Sequence, residues 1–128
     1  MQRVRHERGS AVVDFVLIMV ILVPLVLGIA QVALVLHVRN TLAAAASEGA
    51  RASAPLGSTP DDGAERTRRM IRQALDDRYA EGVTSSWASV GGAPGTVVEV
   101  RARVPALGLF GPSVEVSVSG HAVREVEP

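Results

Sequence analysis

Residues 11–36 read AVVDFVLIMVILVPLVLGIAQVALVL, and Asp14 is the only ionisable residue in this stretch. A helix of this length rises about 39 Å, which is more than enough to cross the roughly 30 Å hydrocarbon core of a bilayer. The nine preceding residues carry three Arg and one Glu, whereas Arg39 is the only Arg close to the far end. Because cytoplasmic flanks carry the excess of basic residues, the sequence predicts one membrane helix with a cytoplasmic N-terminus.

The composition of the whole chain excludes several classes of partner and chemistry. Its 128 residues carry 13 basic and 13 acidic side chains, so no net positive charge favours nucleic acid. Aromatic residues make up 3%, too few for a stacking platform. The absence of cysteine excludes disulfides, thiol catalysis and Cys-containing zinc sites. We therefore expect no nucleic-acid partner.

No catalytic or metal-binding pattern stands out in the sequence. His6, His37 and His121 lie far apart and lack the spacing of metal ligands. The glycine-rich residues 91–95 open no helix, which predicts a hairpin turn rather than a phosphate-binding loop. The basic residues within 66–72 are flanked by acidic ones on the same predicted helix, which indicates a solvated face. We expect no enzymatic activity, no cofactor and no small-molecule substrate.

Beyond the apolar run, the pattern predicts a helical extension and a second helix. Residues 40–54 are rich in helix formers and contain no Pro, so the membrane helix should continue, and residues 55–59 should form a linker. Thr59 as N-cap and Pro60 at the first helical position begin the second helix, which we expect to end at Gly82. One face of that helix has i, i+3, i+4 spacing and comprises Thr67, Met70, Ile71, Ala74, Leu75 and Tyr79.

After Gly82 the apolar period changes to two, which is typical of strands. The pattern predicts a weak strand at residues 83–90 and a half-buried strand at residues 96–105. The inward face of the second strand comprises Val98, Val100, Ala102 and Val104. A last strand should start at Ser113, with Val114, Val116 and Val118 on one face, and run to Val126.

The predicted fold class is therefore α+β. A long N-terminal transmembrane helix extends into a small soluble domain of one amphipathic helix and a two- or three-stranded antiparallel sheet. A domain of this size would have only a marginal core if alone, so it should lean on the helical extension or on neighbouring subunits. The apolar tip of the loop between the last two strands, Leu107–Phe110, is either core or contact surface.

Asp14 is the residue that a plain membrane helix does not explain. A carboxylate at mid-bilayer costs about 2.5–3.5 kcal/mol on insertion scales, so such groups are functional by default. The alternative is that Asp14 lies at head-group depth and marks the inner boundary of the membrane.

Residues 8–15, RGSAVVDF, resemble the processing site of type IV prepilin-like proteins. That class has a basic leader ending in Gly (here Gly9), cleavage before the next residue (Ser10), an acidic fifth residue and an apolar helix. Counting from Ser10 as one, Asp14 is residue five and Phe15 is residue six. With the EGAR segment, Glu48, Gly49, Ala50 and Arg51, the longer pattern is similar to the TadE-like minor pseudopilins of tight-adherence (Flp) pilus systems. That family usually has Glu where Asp14 stands, and Asp reaches one methylene less.

The resemblance implies three parts of the chain: a cleaved leader at 1–9, a transmembrane helix with its extracytoplasmic extension at 10–54, and an extracytoplasmic domain at 55–128. It implies a role in pilus biogenesis at the cell membrane. The implied partners are a prepilin peptidase, other pilins or pseudopilins, inner-membrane Tad-type assembly proteins and membrane lipid.

The resemblance also implies roles for residues within the membrane helix. Cleavage would expose a cationic amine on Ser10, which Asp14 of a neighbouring subunit could neutralise in the apolar layer. Pro24 and Gly28 would allow a kink or local unwinding when the helix moves from bilayer to filament. Packing against other membrane helices is the alternative role for Pro24 and Gly28.

Two other function classes stay open at this point. The chain could be an unprocessed single-pass anchor that presents a small β-rich binding module. It could also be a secreted domain released near Ala45, although the apolar run is far longer than the 7–15 residues of a signal peptide. The mature N-terminus distinguishes the three: Ser10 for the pseudopilin, Met1 for the anchor, and Ala46 or Ser47 for the secreted domain.

Overall fold

The computed structural model of the protein describes residues 3–107 and 111–128, with side chains described from Glu7 onward. It contains two helices, one 3₁₀ turn and three strands, which confirms the predicted α+β class. In chain order these are α1 Arg3–Ala52, α2 Pro60–Ala74, the 3₁₀ turn Asp77–Ala80, β1 Val83–Val90, β2 Ala93–Val104 and β3 Val114–Val123.

Helix α1 unites the apolar run and its predicted extension in one element of 50 residues. It is helical through Pro24 and Gly28. Within the described residues it is the one helix long and apolar enough to cross a membrane, and the most apolar part of it is not covered by the rest of the chain. The candidate membrane span and the part of the chain that supports the α+β domain therefore belong to a single helix.

Helix α2 begins where the sequence predicts. The Oδ2 atom of Asp62 accepts hydrogen bonds from the backbone N–H of Thr59 at 2.7 Å and from its hydroxyl at 3.1 Å. This contact satisfies a donor at the start of the helix, and Pro60 needs no hydrogen-bond partner for its nitrogen. Thr59 is thus confirmed as the N-cap.

The predicted end of α2 at Gly82 is wrong, because the helix stops at Ala74. Leu75 is extended, with φ −136° and ψ 178°. The Oδ1 atom of Asp76 then accepts a hydrogen bond from the backbone N–H of Arg78 at 3.2 Å, which starts the 3₁₀ turn. The turn buries Tyr79, whose side chain therefore reaches the core from a different element than the sequence predicts.

Gly82 has a different role from that of a helix stop. Its carbonyl oxygen accepts a hydrogen bond of 3.0 Å from the backbone N–H of Arg101 in β2. A Cβ atom on Gly82 would collide with the carbonyl oxygen of Arg101. The absence of a side chain therefore lets the chain enter β1 in close contact with β2.

The three strands form an antiparallel sheet in the order β1-β2-β3. The hairpin between β1 and β2 turns on Gly91 and Gly92 alone, with φ of 59° and 86°. Two positive φ angles give the turn whose twist matches that of the strands. The predicted turn at 91–95 is therefore too long, since residues 93–95 pair within the sheet.

One core joins α1, α2 and the sheet. The inward face predicted for β2 is confirmed: Val98, Val100 and Val104 are fully buried and Ala102 is 8% exposed. On β3, Val116 is buried and Val118 is half-buried, whereas Val114 at the end of the strand is 38% exposed.

The helices supply the rest of the core. In α2, Thr67 and Ile71 are buried as predicted, whereas Ala74 is exposed because the helix ends there. The second half of α1 contributes buried residues as well, and these are Val38, Leu42, Ala45, Ala46 and Ala50. The domain therefore leans on the helical extension, as the sequence predicts.

Strand β3 ends at Val123, three residues before the predicted end. Beyond it, the backbone N–H of Glu125 donates to the carbonyl oxygen of Ala54, at 2.9 Å, just past the end of α1. The chain leaves the sheet to make this contact. Of the predicted apolar tip at Leu107–Phe110, residues 108–110 lie outside the described residues, and Leu107 is 47% exposed.

Contacts along α1 define how the sheet lies on it. Gln31 contacts Pro105, the backbone of Ala46 lies against Gly120, and Ala54 contacts Glu125. Because the residue numbers rise together, β3 runs along α1 in the same direction. The loop between β2 and β3 therefore lies at the end of the domain nearest the apolar part of α1, and the Gly91–Gly92 turn lies at the opposite end.

Candidate functional site

The predicted processing segment lies in the first turns of α1 and is uncovered. Gly9, Ser10, Asp14 and Phe15 are all exposed, Phe15 to 59%. A Cβ atom on Gly9 would have no atom within 4 Å. The described part of the chain leaves this segment open to another protein.

The carboxylate of Asp14 has no ion-pair partner in the described part of the chain. The ion pairs found there are Arg66–Glu48, Arg68–Glu65 and Arg101–Glu99. Asp14 is exposed among apolar neighbours, with Val12 and Val13 exposed to 63% and 57%. A counter-charge for Asp14 would have to come from outside this set of residues.

Pro24 and Gly28 lie on an open apolar face farther along α1. Together with Leu25, Ile29 and Val32 they line a shallow groove of about 550 Å³. A Cβ atom on Gly28 would have no atom within 4 Å. The fold therefore does not use Gly28 for close packing within the chain.

The EGAR segment lies at the crossing of α1 and α2. A Cβ atom on Gly49 would collide with the hydroxyl of Thr67 and lie 2.5 Å from the carbonyl oxygen of Gly63. The Thr67 hydroxyl donates to the carbonyl oxygens of Gly63 at 2.8 Å and of Ala45 at 3.3 Å. Gly49 thus allows backbone contact between the helices.

The other members of the EGAR segment divide between core and surface. Ala50 is fully buried in the core. The Oε1 atom of Glu48 lies 3.9 Å from Nη2 of Arg66 on α2, and both side chains are nearly half exposed. Arg51 is exposed in the last turn of α1, where its positive charge interacts favourably with the negative end of the helix dipole. In this structure the segment joins the long helix to the domain.

Gln31 is a residue whose role the sequence did not reveal. Its Nε2 atom donates to the carbonyl oxygen of Pro105 at 3.2 Å, and its Oε1 atom accepts from the backbone N–H of Leu107 at 2.8 Å. The available signal was that Gln31 is the only amide side chain in residues 11–36. Its partners lie more than 70 positions away in the chain.

A metal centre finds no support in the described residues. They contain no group of three or more His, Cys, Asp or Glu side chains that could hold a metal ion. His37 and His121 are exposed in different elements, and the side chain of His6 lies outside the described residues.

Together these features define a class of protein: a small α+β domain on one long helix that is a candidate membrane span, with its first turns open to partners. The family model of TadE-like proteins matches residues 9–51, which confirms the resemblance seen in the sequence. The match begins at Gly9 and ends at Arg51, so it covers most of α1 and neither α2 nor the sheet. No curated protein and no solved structure matches the chain. The TadE-like match suggests a function related to Tad pili, and α1 suggests a membrane anchor.

Proposed function

We propose that this protein is a minor pseudopilin of a Tad/Flp-type pilus assembly or secretion system, and that a prepilin peptidase cleaves it between Gly9 and Ser10. The observation that carries the proposal is the TadE-like match, which begins at Gly9 and continues through the apolar helix. The exposure of Gly9 and Ser10 supports it, because a peptidase needs an uncovered segment.

In this proposal the protein crosses the cell membrane once. The leader lies in the cytoplasm, because Arg3, Arg5 and Arg8 outnumber the basic residues at the far end of the apolar run. The domain at 55–128 then lies outside the cytoplasm, together with the end of α1 against which it packs. Its partners are the peptidase, other pilins or pseudopilins, and Tad-type assembly proteins of the inner membrane.

Asp14 acts between subunits in this proposal. Cleavage creates a cationic amine on Ser10, and Asp14 of a neighbouring subunit neutralises it. The lack of an ion-pair partner for Asp14 in the described part of its own chain supports an intermolecular role. A charge pair within an apolar layer would fix the axial register of neighbouring helices, since each charge alone would be costly there.

The buried core argues against the alternative of a secreted domain. Release near Ala45 would remove Val38 and Leu42, which are 1% and 0% exposed. Their loss would open the core that α1 shares with α2 and the sheet. An unprocessed anchor with the same fold keeps this core, so processing is the feature that separates it from a pseudopilin.

The test is the mass and N-terminus of the protein purified from its own host, compared with those of Gly9→Leu. We expect wild type to begin at Ser10 and Gly9→Leu to retain the leader, because the peptidase must accommodate a residue without a side chain. Gly28→Leu is the matched control, since neither glycine has a neighbour within 4 Å that a side chain would meet. A wild-type protein that begins at Met1 would contradict the proposal and favour the anchor.

The proposed topology has a separate test. The chain has no cysteine, so Ser86→Cys places a single thiol at an exposed position of β1. In cells with a permeabilised outer barrier and an intact inner membrane, we expect a membrane-impermeant thiol reagent to label this variant. Labelling that requires lysis of the inner membrane would reverse the topology.

A further inference from the structure

The core of the domain determines where the membrane-embedded part of α1 must end. Val38 and Leu42 are fully buried in the domain, and Leu34 and Val35 pack against the same core. One face of the last turns of the apolar run is therefore covered by the domain, at Leu34 and Val35, whereas Val32 and Leu36 on the other face stay 59% and 52% exposed. From Ala11 to Gln31 the helix rises about 30 Å, which equals the thickness of a hydrocarbon core.

Gln31 lies at this boundary and holds the loop between β2 and β3. Its amide bonds to the backbone at Pro105 and Leu107 through both its nitrogen and its oxygen. Buried polar groups are costly unless they are hydrogen-bonded, and near lipid no water is available to replace a missing partner. In the proposed membrane position, the Gln31 contact therefore satisfies two backbone groups of the loop close to the edge of the hydrocarbon core.

The described flanks of this loop reach farther along α1 toward the cytoplasmic end. A cleft of about 400 Å³ separates them from α1, and Pro24 and Leu27 line it opposite Ala106, Leu107 and Val114. Pro24 precedes Gln31 by two turns of helix, which is about 10 Å along the axis. Amphipathic elements that lie in a membrane interface are buried by about 5–10 Å.

Apolar residues are exposed at this end of the domain on the side of α1, whereas Arg103 and Glu115 are exposed on the other face of the sheet. Leu107 and Val114 are exposed to 47% and 38%, next to the candidate membrane span. On that span, Leu25 and Ile29 are exposed to 57% and 64%. The apolar surface of Leu107 and Val114 thus continues that of α1.

We propose that this part of the chain, at Ala106, Leu107 and Val114, is a second membrane contact that lies in the outer leaflet between head groups and acyl chains. Lipid is its occupant. The inference rests on the membrane span of the proposed function but on neither cleavage nor pilus assembly. The contact would fix the height of the domain above the bilayer through Gln31.

The test uses depth-dependent fluorescence quenching on the full chain in phosphatidylcholine vesicles. Since the protein has no cysteine, Leu107→Cys, Val20→Cys and Ser89→Cys each carry one environment-sensitive fluorophore. Lipids carry a nitroxide either near the head group or near the chain end. At position 107 we expect blue-shifted emission and stronger quenching by the shallow nitroxide than by the deep one. At position 20 we expect the deep nitroxide to quench more strongly. At position 89 we expect neither a blue shift nor quenching.

The outcomes separate this inference from the proposed function. Quenching at position 20 together with water-like emission at 107 would overturn the inference and leave the span intact. Absence of quenching at position 20 would overturn both. A blue shift at 107 that disappears when the protein is diluted in lipid would assign the surface to a second copy of the chain and overturn the lipid contact.

A second variant tests the Gln31 contact. In the Leu107→Cys background, Gln31→Ala should reduce quenching by the shallow nitroxide, because the loop loses both hydrogen bonds to α1. Gln73→Ala, at an exposed position on α2, is the matched control and should leave quenching unchanged. Equal quenching in the two variants would overturn the role of Gln31.

Discussion

Gly49 on α1 and Gly63 on α2 pack backbone against backbone. A Cβ atom on Gly49 would lie 2.5 Å from the carbonyl oxygen of Gly63, and one on Gly63 would lie 2.7 Å from that of Gly49. Both distances are well inside van der Waals contact, so no side chain separates the two backbones at these two glycines. The glycine of the EGAR segment therefore has a packing role that the present fold requires.

We predict that Gly49→Ala destabilises the domain. The added methyl group would collide with the Thr67 hydroxyl as well as the Gly63 backbone, and overpacking of this kind costs about 1–3 kcal/mol. Thermal unfolding in detergent, followed by the fluorescence of Trp87, should show a Tm lower by about 4–8 °C for each kcal/mol lost. Trp87 is the only Trp in the chain, which makes its signal specific to the sheet.

Gly28→Ala is the matched control for this prediction. Both variants replace a helical glycine with alanine and gain about 1 kcal/mol of helix propensity. At Gly28 no neighbour lies within 4 Å of the new methyl group, so the Tm should not fall. An equal Tm for Gly49→Ala and Gly28→Ala would contradict the prediction, because it would mean that the crossing of α1 and α2 accommodates the methyl group without a loss of stability.

We predict that Glu48→Gln has little effect on stability. The Glu48–Arg66 pair is 3.9 Å long, and the two side chains are 44% and 47% exposed, so solvent screens their attraction. Such pairs contribute about 0–1 kcal/mol. The Tm of Glu48→Gln should therefore lie much closer to wild type than that of Gly49→Ala. A larger loss for Glu48→Gln would mean that the charge has a role beyond this pair.

We predict that a fragment of residues 55–128 does not fold. It contains α2 and the sheet but lacks the buried residues of α1, and these are Val38, Leu42, Ala45, Ala46 and Ala50. A fragment of residues 34–128 retains them and should give a dispersed amide NMR spectrum. Dispersed resonances from residues 55–128 would instead make residue 55 a true folding boundary.

We predict that Asp14→Asn leaves cleavage and membrane insertion intact but weakens assembly. Breaking a desolvated charge pair costs about 3–5 kcal/mol, whereas an exposed pair is worth about 0–1 kcal/mol. Asp14→Glu should be tolerated or improve assembly, because it keeps the charge and extends its reach. Co-purification of Tad-type partners and surface pili measure assembly, and the mature N-terminus checks processing in the same samples.

The opposite result for Asp14 has a clear meaning. If the carboxylate only marks head-group depth, Asp14→Asn should match wild type, since water hydrates an amide there. Wild-type pili and partner recovery in Asp14→Asn would refute charge pairing. The TadE-like match would stand, because it does not depend on that mechanism.

The local sequence pattern was sufficient to predict the start of α2 and the bounds of β1. The start of α2 at Thr59 and the bounds of β1 follow from capping and from the change of period after Gly82. The end of α2 does not, because the helical pattern continues past Ala74 while Asp76 and the burial of Tyr79 favour a 3₁₀ turn. That choice depends on packing against the sheet, which the sequence of the helix alone does not contain.

The residues of the candidate site also fall into those that local sequence indicates and those that only the fold brings together. The segment from Gly9 to Phe15 is contiguous in the sequence, so residue spacing alone could indicate it as the processing segment of the proposed function. The contact of Gln31 joins residues more than 70 positions apart, and Gly49 is constrained by Thr67 and Gly63 on another helix. These roles became visible only when the fold brought the partners together.

The continuity of α1 has a mechanical consequence. At 1.5 Å per residue the helix is about 75 Å long, and the sheet grips its outer third through Ala46 and Gly120. As long as α1 stays helical through Pro24 and Gly28, as it does in this structure, a rotation of the sheet about the helix axis turns the whole helix. In the proposed topology, the orientation of the domain outside the cytoplasm sets the azimuth of Asp14 at the inner end, so neighbours that turn the domain also select which side of α1 faces them.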